Sequence, residues 1–272
     1  MIDLHCHVLP GIDDGPQTIE ESLAMARVAA RAGTRILVAT PHVNRRYGNR
    51  ARVIRPLVDR LNGRLQAEGL ELEVRAGAEV ALLQAARLDP AELAELHLGG
   101  GPWLLVEPPT APVDDDVEAL VMSIVDQGHH VLLAHPERCP AFRHDPGVLA
   151  SLVSSGVLAS VTASSLRGHF GEEVADFALE LLHSELVQNV ASDAHHHELR
   201  PPTMLGELER VGLGPSAEWL TTRVPTAILE GTAIPPRPLI RAAARAPRVR
   251  REAVARGPEV AVRPAPPPAP SR

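Results

Sequence analysis

Two histidines one residue apart open the chemistry of this chain. In Asp3-Leu4-His5-Cys6-His7, the alternation of a β-strand turns His5 and His7 to the same face, where two imidazoles can share a cation. Alone, the pair fits a metal site and a hydrogen-bonded core equally well. Further residues of metal-ligand type stand where apolar β sequence stops: His42, Glu79, Glu107, His135, and the pair Asp193 and His195. Asp14 adds to them from the loop Gly11-Ile12-Asp13-Asp14-Gly15-Pro16. Packed together without cations, these histidines and carboxylates would carry heavy desolvation and like-charge costs, which bound metal relieves. The rival is a buried polar network with no ion in it. Imidazole mixed with carboxylate suits manganese, iron or zinc better than calcium. Three divalent ions against four carboxylates would leave about +2, an attraction for a dianion. Arg138 and Arg200 are placed to add bidentate phosphate contacts.

Such a set converges only if the elements between its members bring strand ends to one face. Apolar β-type runs are read at residues 2–7, 35–39, 72–76, 103–106, 131–134, 157–162 and 186–191, with helical stretches between them. Thr18 with Glu21 forms a capping-box pattern, Ile19, Leu23, Ala26 and Ala30 give a helical stripe, and Gly33 closes it. Strand and helix alternating at this spacing imply parallel strands with right-handed crossovers. Seven such units predict an α/β fold, a distorted (β/α)7 barrel of TIM-barrel type, against the rival of an open doubly wound sheet. A parallel barrel gathers its strand C-termini on one face, which is where the ligand-type residues fall.

Composition narrows the chemistry further. All 27 basic residues are arginine, so mechanisms that need a lysine, the P-loop and the Schiff base, are excluded. No apolar run of membrane-spanning length is present, and no basic stretch leads into an apolar one at the start. Cys6 and Cys139 make no C-x-x-C pair, and a cytoplasmic setting is expected. Residues 237–272 hold nine arginines against two glutamates, a formal +7, leaving −14 for residues 1–236. The expected organisation is one domain over 1–236 and an Arg/Pro-rich disordered tail over 237–272. The acidic balance of the domain disfavours nucleic acid as a partner.

The motifs Ile-Asp-Leu-His-Cys-His, Asp-Asp-Gly-Pro, Ala-Thr-Pro-His, Gly-Ala-Glu-Val, Ala-His-Pro-Glu-Arg and Ala-Ser-Asp-Ala-His resemble the polymerase and histidinol phosphatase (PHP) superfamily of metal-dependent phosphoesterases. Within it they are similar to the manganese-dependent bacterial protein-tyrosine phosphatases of capsule and exopolysaccharide loci. The resemblance implies three divalent ions, manganese first and iron or zinc as alternatives. Carried onto this chain, it gives one ion to His5, His7, Glu79 and Asp193, a second to Glu79, Glu107 and His135, and a third to Asp14, His42 and His195. Asp14 and Glu107 match the tyrosine phosphatases at positions where histidinol phosphatases place histidine. Arg138 and Arg200 match the family's conserved arginines. Leu199 stands where a glycine is usual, and Arg223-Val224-Pro225 replaces an Asn-Pro-Arg; neither change removes a ligand. His196 and His197, beside His195, are expected to be exposed loop residues.

The implied activity is phosphotyrosine hydrolysis on a protein, with a bacterial tyrosine kinase of polysaccharide export as the expected partner, and a homo-oligomer is compatible with it. Arg138 and Arg200 would take up charge on the phosphate, and His42 or a metal-held water would assist the leaving phenolate. The alternatives are a small-molecule phosphatase of the histidinol-phosphate type, a metal-dependent nuclease and a metal-stabilised binding scaffold without catalysis. A cysteine-based tyrosine phosphatase needs an arginine six residues after its thiolate; Ile12 and Asp145 occupy those positions.

Overall fold

The computed structural model describes residues 1–238. Among the described residues there are nine strands: β1 Ile2–Cys6, β2 Ile36–Ala39, β3 His42–Val43, β4 Glu73–Ala76, β5 Glu79–Ala81, β6 Trp103–Glu107, β7 His130–Ala134, β8 Leu158–Thr162 and β9 Asn189–Ala191. Every pairing between these strands is parallel, in the orders β1-β2-β4 and β3-β5-β6-β7-β8-β9.

The two short strands absent from the sequence reading, β3 and β5, continue β2 and β4 past a break. Pro41 has no N–H to give a ladder, which interrupts the first run before His42. Gly77 breaks the second: a Cβ there would lie 2.9 Å from Val38 Cγ1, so only glycine lets the strands approach this closely. Counting each broken run once, the strands form a ring of seven. The ring closes where Cys6 bridges Ala194, His7 N–H donating to Ala194 O at 2.8 Å and Asp193 N–H to His5 O at 2.9 Å. This is the expected (β/α)7 barrel rather than an open sheet.

The strands are held by burial on both sides, as a parallel sheet requires. All of β1 and β8 is buried, with Leu4, Leu37, Leu104, Leu132, Val161 and Val190 in the apolar core. Helices cover the outside. The first, Ile19–Arg31, has the capping box read from sequence, Thr18 accepting from Glu21 N–H at 3.2 Å, and buries Ile19, Leu23 and Ala26. Gly33 follows its last turn at φ 90°.

The expected tail begins at Arg237, and its residues 239–272 lie outside the described residues. Arg237 itself packs over the Trp219 ring at 5.2 Å and donates to Leu182 O at 3.1 Å.

Candidate metal centre

β1 delivers its two histidines as the alternation dictates. His5 and His7 are buried and meet at 3.2 Å between Nε2 atoms, while Cys6 points the other way into the core. Two further carboxylates hold this strand in place. Asp3 accepts from Ser192 N–H and from the Ser192 hydroxyl, tying β1 to the segment after β9. Asp13 Oδ2 takes the Nδ1–H of His7 at 2.8 Å and the His42 N–H at 3.2 Å, and its Oδ1 takes the Gly15 N–H at 3.0 Å. A carboxylate behind a ligand-type imidazole fixes the ring's tautomer and leaves Nε2 with a lone pair facing inward.

Glu79, the first residue of β5, sits at the middle of the cluster. Its Oε1 is 2.8 Å from His135 Nε2; its Oε2 is 3.4 Å from His5 Nε2, 3.3 Å from His7 Nε2 and 2.9 Å from His42 Nδ1. Asp193 Oδ1 lies 3.5 Å from His5 Nε2 and 3.6 Å from His195 Nδ1. Asp14 Oδ1 faces His195 Nε2 at 3.3 Å and His42 Nε2 at 3.5 Å, and Glu107 Oε1 faces His135 Nε2 at 3.8 Å. All nine residues singled out in the sequence therefore meet at one mouth. Their donor atoms fall into four overlapping groups: His7, Asp14, His42 and His195; His5, His7 and Asp193; His5, Glu79 and His135; His42, Glu79 and Glu107.

The donor set fits divalent cations. Glu79 Oε2 and His42 Nδ1 are buried side by side yet make no hydrogen bond of acceptable geometry. Lone pairs turned toward one another are costly as a polar network and favourable around a cation. The charges tell the same story. Burial would lower His7, but the Asp13 hydrogen bond together with the Asp13 and Glu79 charges outweighs it and lifts the ring to about 10. Burial, reinforced by the Glu79 charge, pushes Glu107 up to about 8. Burial and the Arg138 charge drop His135 to about 4. Burial opposes charge on Asp193, yet the surrounding His5 and Arg200 hold it well below the usual carboxylate range.

Backbone strain marks the same spot. Three described non-glycine residues have positive φ, and two of them are His135 at 32° and Asp193 at 49°. Left-handed backbone at residues with a Cβ costs about 1 kcal/mol or more each, and it is retained where geometry at a site requires it.

Both arginines reach the centre through Asp193. Arg138 Nη1 donates to Asp193 Oδ2 at 3.2 Å, and Arg200 Nη2 is 2.8 Å from the same oxygen and donates to the Asp193 carbonyl at 2.9 Å. Glu137 anchors the turn that carries Arg138, its Oε1 accepting from Thr162 N–H at 3.0 Å and the Ser165 hydroxyl at 2.7 Å. Thr162, ending the strand that offers no ligand, donates its hydroxyl to Asp193 Oδ2 at 3.3 Å. The Tyr47 ring lies nearly parallel to that of His42, and Phe170 lies beneath both arginines.

Sequence reasoning missed Asp3, Asp13, Glu137, Thr162 and Phe170. Asp13 and Glu137 carried a signal, each being an acid adjacent to or two residues from a candidate ligand; Phe170 carried none. One expectation is corrected. His196 and His197 are half-buried, with rings stacked at 4.3 Å, and His196 Nδ1 accepts from Glu198 and Leu199 N–H. The turn back to Arg200 folds over them, because His195 and His196 N–H both bond to Arg200 O.

Residues 1–212 match the family described as capsular polysaccharide synthesis, CpsB/CapC. The chain belongs to that family. It is 38% identical over 201 residues to the tyrosine-protein phosphatase YwqE of Bacillus subtilis (strain 168), a match covering 74% of this chain and 79% of that protein. The tyrosine-protein phosphatase CpsB of Streptococcus pneumoniae is 28% identical over 214 residues, covering 75% of this chain and 86% of that one. A chain from the crystal structures of YwqE and CpsB, described as unique metal-dependent tyrosine phosphatases, superposes with a TM-score of 0.77 at 34% identity. That superposition covers 89% of this chain and 100% of the other.

Proposed function

We propose that this chain is a metal-dependent protein-tyrosine phosphatase, a phosphomonoester hydrolase acting on phosphotyrosine. The observation that carries the proposal is the convergence of nine imidazole and carboxylate groups beside two arginines that share one oxygen of Asp193. His5, His7, Glu79 and Asp193 would hold one divalent ion, Glu79, Glu107 and His135 a second, and Asp14, His42 and His195 a third. Manganese is the first choice, iron and zinc the alternatives. Bound ions would supply Lewis-acid stabilisation of the phosphoryl oxygens and acidify water toward neutrality.

The chain's own residues supply the rest. Arg138 and Arg200 present guanidinium forks that can turn from Asp193 Oδ2 to the equatorial oxygens of a phosphoryl group, where charge builds in the transition state. Asp13 keeps His7 oriented, and Thr162 with the arginines keeps Asp193 oriented. Both ring nitrogens of His42 face carboxylates, Nδ1 toward Glu79 and Nε2 toward Asp14. That favours ligation over proton delivery for this ring. A phenolate, with a conjugate-acid pKa near 10, leaves with little acid assistance.

A protein substrate is favoured by the openness of the mouth. The Asp14 side chain is 49% exposed, and those of Arg138 and Arg200 are each 23% exposed. A phosphorylated side chain on a large partner can reach such a site. The family's description as capsular polysaccharide synthesis supports a tyrosine kinase of polysaccharide export as that partner. A cytoplasmic enzyme agrees with two buried free cysteines. No described helix is long and apolar enough to cross a membrane.

The test is turnover by one metal-loaded preparation of a phosphotyrosine peptide, histidinol phosphate and single-stranded DNA. The peptide is expected to be hydrolysed fastest. Faster hydrolysis of histidinol phosphate would overturn the protein substrate and keep the centre; no hydrolysis by a fully loaded protein would overturn the enzyme.

A further inference from the structure

β8 is the strand whose end offers no metal-ligand residue, and the segment after it carries Gly168-His169-Phe170-Gly171. Gly168 and Gly171 have φ of 83° and 100°, which residues with a Cβ rarely adopt. Gly168 N–H donates to Ser165 O at 2.9 Å and Gly171 N–H to Gly168 O at 3.1 Å. The chain therefore turns tightly and holds Phe170 at the turn. This phenylalanine does not serve the apolar core. It lies half-buried, its ring centroid 4.5 Å from Arg138 Cζ and 5.4 Å from Arg200 Cζ, with His169 edge-on at 4.8 Å.

The geometry points to Phe170 as a positioning residue for phosphate binding, its ring and Asp193 holding the guanidinium groups of Arg138 and Arg200 between them. The inference rests on the phosphomonoesterase reading above. Two guanidinium groups near one carboxylate repel each other and, on long flexible stems, would spread over many rotamers. The negative face of an aromatic ring attracts both, restricting them to the region where one phosphate can meet two forks. A side chain of similar bulk without a ring fills the space and loses this restraint.

The test uses the metal-loaded full chain, Phe170→Leu (F170L) and Phe170→Tyr (F170Y), with p-nitrophenyl phosphate as substrate and inorganic phosphate as competitive inhibitor. F170L is expected to raise KM and the phosphate inhibition constant about tenfold, the sum of two modest cation–π contacts, with bound metal unchanged. F170Y keeps the ring and is expected to stay within about twofold of wild type. In an Arg138→Gln background the further effect of F170L is expected to shrink to about threefold or less, because one contact is already gone. F170M reads the same quantities if F170L melts early. An unchanged phosphate constant in F170L would overturn the inference, as would a loss confined to p-nitrophenyl phosphate, which would make Phe170 a wall for the aryl ring. If the loaded wild type hydrolyses no phosphomonoester, the phosphatase reading fails separately, and phosphate affinity measured by calorimetry still decides the role of Phe170.

Discussion

Replacing Asp13 with asparagine tests the proposal that this carboxylate orients His7 toward a metal ion. Asp13 accepts three hydrogen bonds, from His7 Nδ1–H, His42 N–H and Gly15 N–H. A carboxamide has one acceptor oxygen, so Asp13→Asn must set its NH2 group against at least one of those donors. The cheaper orientation keeps the oxygen on His7 and His42 and gives up Gly15, a loss of about 1–3 kcal/mol for an unmet buried donor. In a domain of this size that lowers Tm by roughly 2–4 °C per kcal/mol. The more telling loss is charge. Asp13 and His7 face each other at 2.8 Å with both side chains essentially inaccessible. Removing a carboxylate behind a ligating imidazole lowers metal affinity about 10- to 100-fold, or roughly 1.4–2.7 kcal/mol. Manganese titration of the metal-free protein, followed by turnover and by Tm, should show the midpoint shifted by that factor while kcat at saturating metal stays within about threefold. An unchanged midpoint in a folded D13N protein would refute the reasoning. So would a large fall in kcat at full metal occupancy, which would put Asp13 in the chemistry rather than behind it.

Three other outcomes follow from the same geometry. Arg200→Lys keeps the charge and loses the fork, so kcat/KM should fall about tenfold or more with bound metal unchanged; equal activity would remove Arg200 from phosphate binding. Burial pushes Glu137 up from the ordinary 4.5 to about 7, against hydrogen bonds from Ser165 and Thr162. A carboxyl raised on folding stabilises the protein fully only below its unfolded pKa and loses that contribution as pH climbs through the folded one. The metal-free protein should thus lose about 3 kcal/mol between pH 4.5 and 8 from this group, and urea unfolding of Glu137→Gln should lack that part of the slope. Cys6 and Cys139 are buried, and burial raises both thiols; turnover should therefore survive iodoacetamide under native conditions, and rapid inactivation would implicate a thiol.

The convergence of the nine histidines and carboxylates was legible because period-2 alternation and strand-end placement are properties of residue order. His5-x-His7 had to share a face, and a parallel barrel had to bring His42, Glu79, Glu107, His135 and Asp193 to one rim. The breaks were not legible: β3 and β5 are two and three residues long, too short for a periodic signal, and they exist because Pro41 and Gly77 interrupt longer runs. Asp13 and Asp14 are adjacent and chemically alike, so sequence could not say which one turns inward. The loop buries Asp13 against His7 and leaves Asp14 half exposed. Phe170 lies outside any ligand pattern, and its role depends on two arginines that come from other strands' loops.

The proposed centre would hold three divalent ions among residues from six strand ends and their loops. Anomalous diffraction at the manganese edge from manganese-grown crystals tests this most directly. Three peaks are expected, one each among His5, His7, Glu79 and Asp193, among Glu79, Glu107 and His135, and among Asp14, His42 and His195. A well-ordered crystal with no anomalous peak at that mouth, or with manganese bound elsewhere, would contradict it.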